Sequence, residues 1–509
     1  MIRSLRNAAR LLSLAGVLAR NDALFVFDGI AAARPLVWLA RPLVRRHTDR
    51  PGERLARALH DAGPSFVKFG QTLASRSDLL GEEISTDLAA LQDRLPPFPF
   101  EHVRATIETE FDRPLESLYR SFDEQPVAAA SIAQVHFAVD ADGRDVAVKV
   151  LRPGIEKAFA RDLELFFWIG ELLDANMPTL RRLRLMESLQ TLADSVTVEM
   201  DLRFEASAAA ELAENFAGND RFYVPAVDWT RTGRRVMTIE RVIGIKIDER
   251  DKIIAAGHDP RTVLTHAAEA FFQQVFRDGF FHADLHAGNM FVRADGSVAV
   301  VDFGITGRLD RTSRRHLGEM LLAFLTRNWR RAAEVHFEAG WVPAEQSLDT
   351  FAQACRSIAE PILDKPQNEI SIGRLLGQLF QVTETFDMQA QPQLLLLQKT
   401  MLLAEGTGRM LAPDANMWVL IRPLVEAWCA ETLGPQARVR DAANDAASAF
   451  TRLPALVRRA ERGFAVLADG QLRLDPESLR QLRGRDPGAV AGWLLAAVLA
   501  GVVIGLLAG

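Results

Sequence analysis

Four short signatures, set in a fixed order, constrain the fold of this chain more than any other feature. The first is an alanine loop, Val127-Ala-Ala-Ala-Ser-Ile-Ala-Gln-Val135. A lysine follows on an apolar run, Val146-Ala-Val-Lys149. Far downstream stand His282-Ala-Asp-Leu-His-Ala-Gly-Asn289 and Val301-Asp-Phe-Gly304. β-Branched residues in 135–139 and 146–150 predict two strands, and Asp140-Ala-Asp-Gly143 between them predicts a hairpin turn. Met290-Phe-Val292 and Val298-Ala-Val-Val301, flanking Ala294-Asp-Gly-Ser297, predict a second hairpin. Each signature therefore falls on a strand or beside one.

The residue types suit phosphate chemistry. Protein kinases cover ATP phosphates with a G-x-G-x-x-G-x-V loop. Ala128, Ala130, Ala133 and Val135 keep that spacing with every glycine replaced by alanine. Alanine does not cheaply allow the positive φ and close backbone approach of glycine. The loop, with Val127, Ala129, Ser131, Ile132 and Gln134 filling it out, is expected to lie over nucleotide with altered phosphate geometry. Lys149 matches the V-A-I-K lysine that binds the α- and β-phosphates. Residues 282–289 match H-R-D-L-x-x-x-N with Ala283 in place of arginine. Asp284 would then position or deprotonate an attacking hydroxyl or water, and Asn289 and Asp302 would hold Mg²⁺. His286 has no matching His or Cys cluster and is expected to bond the loop backbone. The helix partner of Lys149 is open between Glu199 and Glu205.

The order of elements extends this reading. Residues 52–95 and 101–120 read as helical, separated by Leu95-Pro-Pro-Phe-Pro-Phe100. A long helical stretch is expected over 155–216, a strand over Arg235–Val242, and helices through nearly everything after 260. The expected class is α+β: a protein-kinase-like two-lobe fold, mostly helical, with an N-terminal helical extension and a C-terminal transmembrane helix. The expected divisions are 1–50 (a basic amphipathic membrane-surface segment), 51–120 (helical extension), 121–243 (small lobe), 244–430 (large lobe), 431–487 (helical linker) and 488–509 (transmembrane helix).

Composition bears on location. Residues 1–60 carry eleven Arg against four acidic groups, which favours anionic headgroups. Arg3, Arg6, Arg10, Ser13 and Arg20 lie near one face of a helix, with Ile2, Leu5, Leu12 and Ala19 on another, and predict an interfacial helix continued by Leu24–Phe27 and Pro35–Leu39. Gly488–Gly509 is 22 residues without a charge, long enough to span a bilayer. Arg480, Arg483 and Arg485 precede it, so the positive-inside rule keeps the catalytic domain cytoplasmic. Ala497, Gly501, Gly505 and Gly509 are spaced by four and offer a packing face for a homodimer. Two cysteines exclude a disulfide framework, and a net charge of −6 gives no sign of a nucleic-acid partner.

One further motif narrows the family. Lys68-Phe-Gly-Gln71 lies within Pro64-Ser-Phe-Val-Lys-Phe-Gly-Gln-Thr-Leu-Ala74, and ordinary kinases lack it. With the alanine loop, the E-x-D of Glu199 and Asp201, and Gln391-Pro-Gln393 through Gln398-Lys-Thr400, the chain resembles the UbiB family of kinase-like proteins in ubiquinone biosynthesis. The resemblance implies that Glu205 partners Lys149. It also implies that Lys68 and Gln71 sit over the active site against Glu199, where a peptide would otherwise bind. It implies ATP and Mg²⁺ as cofactors and a bacterial inner-membrane location. As partners it implies membrane lipid, isoprenoid quinone precursors and other ubiquinone-biosynthesis proteins. Leu309-Asp-Arg-Thr-Ser-Arg-Arg315 runs straight into helix with no A-P-E, which argues separately against peptide phosphorylation. Three activities stay open. One is an ATPase-like protein, and one is a non-enzymatic scaffold, against which Lys149, Asp284, Asn289 and Asp302 count. The third is a small-molecule or lipid kinase, since His282-x-Asp-x-His-x-x-Asn289 also resembles aminoglycoside and choline kinases.

Overall fold

The computed structural model describes residues 2–27, 34–74, 82–89, 96–176, 185–363 and 392–434, with individual residues between 365 and 388. The small lobe is built on a five-stranded antiparallel sheet. Its order is β1 (Tyr119–Phe122), β3 (Ala133–Asp140), β4 (Asp145–Leu151), β6 (Val236–Glu240), with β2 (Ala128–Ala129) also pairing β3. The expected hairpin is β3–β4, and Gly143 takes a φ of 89° in its turn, which glycine adopts without strain. Alternation along β4 decides what each face does. Val146, Val148 and Val150 are buried and pack with Val103, Ile107 and Leu118. Each such side chain contributes about 1.5–3 kcal/mol on burial. Period two turns Lys149 to the opposite face, toward the cleft.

Helix Phe100–Phe111 covers the apolar face of that sheet. It is shorter than the 101–120 expected from sequence. Asp112 adopts a left-handed φ of 50° that ends it, and after the single turn Leu115–Leu118 the chain enters β1. The expected 155–216 stretch is three helices, Ile155–Asn176, Leu185–Glu199 and Leu202–Asn215. The last begins at Asp201, whose side chain accepts from the Arg203 N–H as an N-cap.

The large lobe carries two small sheets. One runs β5 (Phe222–Tyr223), β10 (Val298–Val300), β9 (Met290–Val292), β7 (Ile245–Lys246), and its β9–β10 pair is the second expected hairpin. The other joins β8 (Phe280–His282) to β11 (Thr306–Arg308) in antiparallel register, His282 opposite Thr306. Helices Pro260–Phe272, Arg311–Leu325 and Met417–Leu433 pack behind them. Gly318 permits one of these crossings: a Cβ there would lie 2.1 Å from the Trp428 ring.

The N-terminal helices wrap the small lobe. Phe66 meets Phe166 edge-on at 5.1 Å and Phe69 stacks on it at 4.5 Å, fixing helix Pro64–Ala74 against Ile155–Asn176. Helix Ile2–Arg20 makes bonds within the chain. Arg6 bonds Glu164 at 2.6 Å, and Arg10 bonds Asp162, so part of its basic face is committed to the chain's own acidic helix. Leu24–Phe27 likewise pack against the core. Among the described residues no helix is long and apolar enough to cross a membrane. The expected span 488–509, with its Gly501 and Gly505 face, and the linker 435–487 lie outside the described residues.

Candidate functional site

The cleft forms where the Lys149 face of β4 looks across at the ends of β8 and β10. Lys149 Nζ donates to Glu205 at 2.7 and 2.9 Å and to Asp302 at 2.9 Å. Glu205 is placed by the first turn of helix Leu202–Asn215, whose Leu202, Ala206, Ala209 and Leu212 are buried. Burial works against the Lys149 ammonium, but the Asp302 and Glu205 carboxylates outweigh it and hold its pKa above the usual lysine value. The Lys149 charge in turn holds Asp302 well below the usual carboxylate range. Burial, reinforced by the Asp302 charge, pushes Glu205 up to about 7 despite Lys149.

Asp302 has a φ of +64°, a left-handed conformation costly for a residue with a side chain. Neighbouring bonds hold it there. The Val301 N–H donates to Asn289 O at 3.0 Å, and His282 Nε2 lies 3.2 Å from Val301 O. The Asp284 N–H donates to His282 Nδ1 at 3.1 Å. Those two contacts fix His282 as the neutral tautomer with its proton on Nε2, in keeping with burial lowering its pKa. A π-helical turn, Gln273–Asp278, places the Gln274 side-chain Oε1 to accept from the His282 N–H at 2.9 Å. The 282–289 and 301–304 signatures are thus tied together through His282. His286 caps the short turn Ala287–Asn289 by accepting from the Gly288 N–H at 3.0 Å, a bond to the loop backbone.

Asn289 donates its amide N–H to Asp284 O at 3.2 Å, which leaves its carbonyl oxygen for a cation. One carboxylate and one amide oxygen suit Mg²⁺, which keeps waters and takes phosphate oxygens rather than filling an all-protein cage.

The alanine loop is partly strand. Ala128 pairs Val135 and Ala129 pairs Gln134, and the Ala130 N–H donates to Ala133 O at 2.8 Å. Arg152 grips the Ala130 carbonyl at 2.8 Å and the Pro96 carbonyl at 2.9 Å, tethering the loop from behind. Ala130 and Ile132 line the cleft. Gln134 is turned elsewhere: it is buried and exchanges bonds with the Phe98 backbone at 2.9 and 3.3 Å.

Lys68 pairs with Glu199 at 2.9 Å, and both are largely buried. They line the same cleft, of about 300 Å³, as Lys149, Asp284 and Asp302. Asp201 faces it too, while Gln71 belongs to the Lys68 helix. Spacing leaves Lys149 open between two acids while the family resemblance implies Glu205, and the structure gives Glu205 to Lys149 and Glu199 to Lys68. It also brings in a residue that the sequence reading gave no role. Lys399, on helix Pro392–Leu411, reaches Asp284 Oδ1 at 3.2 Å.

Known proteins carry the same organisation. The ABC1 atypical kinase-like domain matches residues 90–336, and the UbiB helical domain matches 355–416. The chain is 41% identical over 407 residues to a probable protein kinase UbiB of Marinobacter nauticus, covering 79% of this chain and 74% of that one. It is 38% identical over 512 residues to that of Xanthomonas euvesicatoria, covering 96% and 91%. The chain belongs to the UbiB family. A Mycobacterium tuberculosis protein solved in complex with erythromycin shares the fold, with a TM-score of 0.51 and 24% identity over 70% of this chain and 90% of that one. The match to the ABC1 atypical kinase-like domain thus spans the alanine loop, Lys149, Asp284 and Asp302, and the match to the UbiB helical domain includes Lys399.

Proposed function

We propose that this UbiB-family chain binds Mg-ATP in the Lys149–Asp302 cleft and turns it over in support of ubiquinone biosynthesis, with no peptide as acceptor. The observation that carries the reading is the largely buried Lys149–Glu205 pair, with the half-exposed Asp302 bonded to the same ammonium, lying across one cleft from Asp284. Lys149 would meet the α- and β-phosphates, and Asp302 with Asn289 would hold Mg²⁺, which would neutralise phosphate charge. Asp284 would take the proton of the attacking water or hydroxyl through Oδ2, since Oδ1 is held by Lys399. Against a peptide acceptor stand the Lys68–Glu199 pair within the cleft and the start of helix Arg311–Leu325 only two residues beyond β11.

A second reading, transfer to a lipid or phenol, has its own support. Val198 and Phe204 are exposed apolar side chains lining the cleft that holds Asp284. Quinone precursors and other proteins of their synthesis are the proposed partners. We place the chain at the bacterial inner membrane with its catalytic domain cytoplasmic. Exposed Trp38, Leu39 and Leu43 lie among exposed Arg34, Arg41, Arg45 and Arg46, a composition suited to an anionic lipid interface. Purified protein incubated with labelled Mg-ATP, liposomes and phenolic precursors tests both readings. Phosphate released without acceptor supports an ATPase, and phosphate on lipid or phenol supports a kinase. Neither, in protein that is folded, overturns the assignment of turnover.

A further inference from the structure

Lys399 meets the Asp284 loop from outside the kinase-like domain, and its placement asks for a role. Residues 282–289 contain no Lys or Arg. Of the lysines in the cleft, Lys149 is held by Glu205 and Asp302, and Lys68 is paired with Glu199. Among the described residues, Asp284 meets a cation only at Lys399, 3.2 Å away, apart from His286 at 3.7 Å, which is charged only when protonated. The transferring phosphoryl group spreads negative charge over its outer oxygens, and a cation supplied from another segment is a recurrent way to stabilise it.

The helix holding Lys399 is anchored for such a task. Leu397 and Thr400 are buried, Thr400 completely, and they fix the rotation of helix Pro392–Leu411 against the large lobe. Lys399 itself stays half exposed. An ammonium carries three donors, of which the bond to Asp284 Oδ1 uses one, and Asp284 itself lines the cleft.

We infer that Lys399 is a phosphate-facing cation which bridges Asp284 and the terminal phosphate of a bound nucleoside triphosphate, so that the helical domain completes the site. This rests on the Mg-ATP reading above. In the step it assists, the attacking oxygen bonds to the γ-phosphorus while the β–γ bridging P–O bond breaks. The electron pair leaves with the diphosphate, and the attacking group's proton passes to Asp284 Oδ2. Lys399 holds Oδ1 and balances the charge on the outer oxygens of the transferring phosphoryl group.

The test uses the full-length chain, its Lys399→Ala and Lys399→Arg variants, and binding of Mg-ATP and Mg-ADP measured separately, with phosphate release. A cation on the terminal phosphate contributes to ATP affinity and not to ADP affinity. Lys399→Ala is expected to lose at least about tenfold in ATP affinity, or about 100-fold in turnover, with ADP affinity and melting temperature held. Lys399→Arg should recover part of the loss. Equal weakening of ATP and ADP with a lower melting temperature would make Lys399 a structural latch and overturn the inference. So would variants indistinguishable from a parent that binds both nucleotides. A parent that binds neither sinks the Mg-ATP reading itself, and this inference with it.

Discussion

On two sides of one cleft, lining carboxylates meet lysines in contrasting surroundings. On the small-lobe side, Lys149 and Lys68 are 17% and 14% exposed, each against an acid from the helices after β4. On the large-lobe side, Lys399 is 51% exposed against Asp284. Desolvated ion pairs are costly to break because the survivor is left buried and uncompensated, whereas exposed pairs contribute little. The small-lobe side is therefore a fixed platform of charge. The large-lobe side can exchange partners when a phosphate arrives.

Removing Lys68 should expose that contrast most strongly. Lys68→Ala leaves Glu199 buried without its partner, and the expected loss of stability is about 3 kcal/mol, read by chemical denaturation. Adding Glu199→Gln should return part of it. A denaturation midpoint unchanged by Lys68→Ala contradicts the platform picture. If the Lys68 pair also restrains the chemistry, the same variant raises self-phosphorylation, followed with labelled ATP.

Lys149→Ala acts on the neighbouring pair. It removes a charged donor to the phosphates and leaves Glu205 and Asp302 facing one another without their cation. Mg-ATP affinity should fall by about 1.5–3 kcal/mol, roughly ten- to a hundredfold, in a fluorescent-nucleotide competition assay. Unaltered affinity would move the site elsewhere.

The smallest effect is expected in the alanine loop. Ala130→Gly loosens a backbone that Arg152 holds by its carbonyl, at a cost of about 0.5–1 kcal/mol, and lets the loop approach phosphate more closely. ADP and ATP affinities should both change. Equal affinities in parent and variant would show that the loop does not contact nucleotide.

How much of this was legible in the sequence differs between the same two sides. The β3–β4 hairpin, Lys149, the 282–289 loop and Asp302 announce themselves through strand alternation and local spacing. The two acids that meet Lys68 and Lys149 were harder to assign. Glu199 ends one helix, and Glu205 lies in the first turn of the next, with the Asp201 N-cap between. Helical periodicity merged the two helices, and residue spacing alone could not tell which acid Lys149 would take. Lys399 lies 115 positions from Asp284, and Arg6 lies 158 from Glu164. Such pairings depend on how helices dock, which local pattern does not encode. The same long-range docking turns Arg6 and Arg10 of the N-terminal basic helix toward the chain's own acids.

Everything proposed for this cleft depends on its being a Mg²⁺-dependent nucleotide site. Calorimetric titration of ATP into the parent and into Asp302→Asn, each with and without Mg²⁺, decides that point. The parent is expected to bind saturably and more tightly with Mg²⁺, and Asp302→Asn is expected to lose that Mg²⁺ dependence. Equal affinity in the two proteins under both conditions would contradict it.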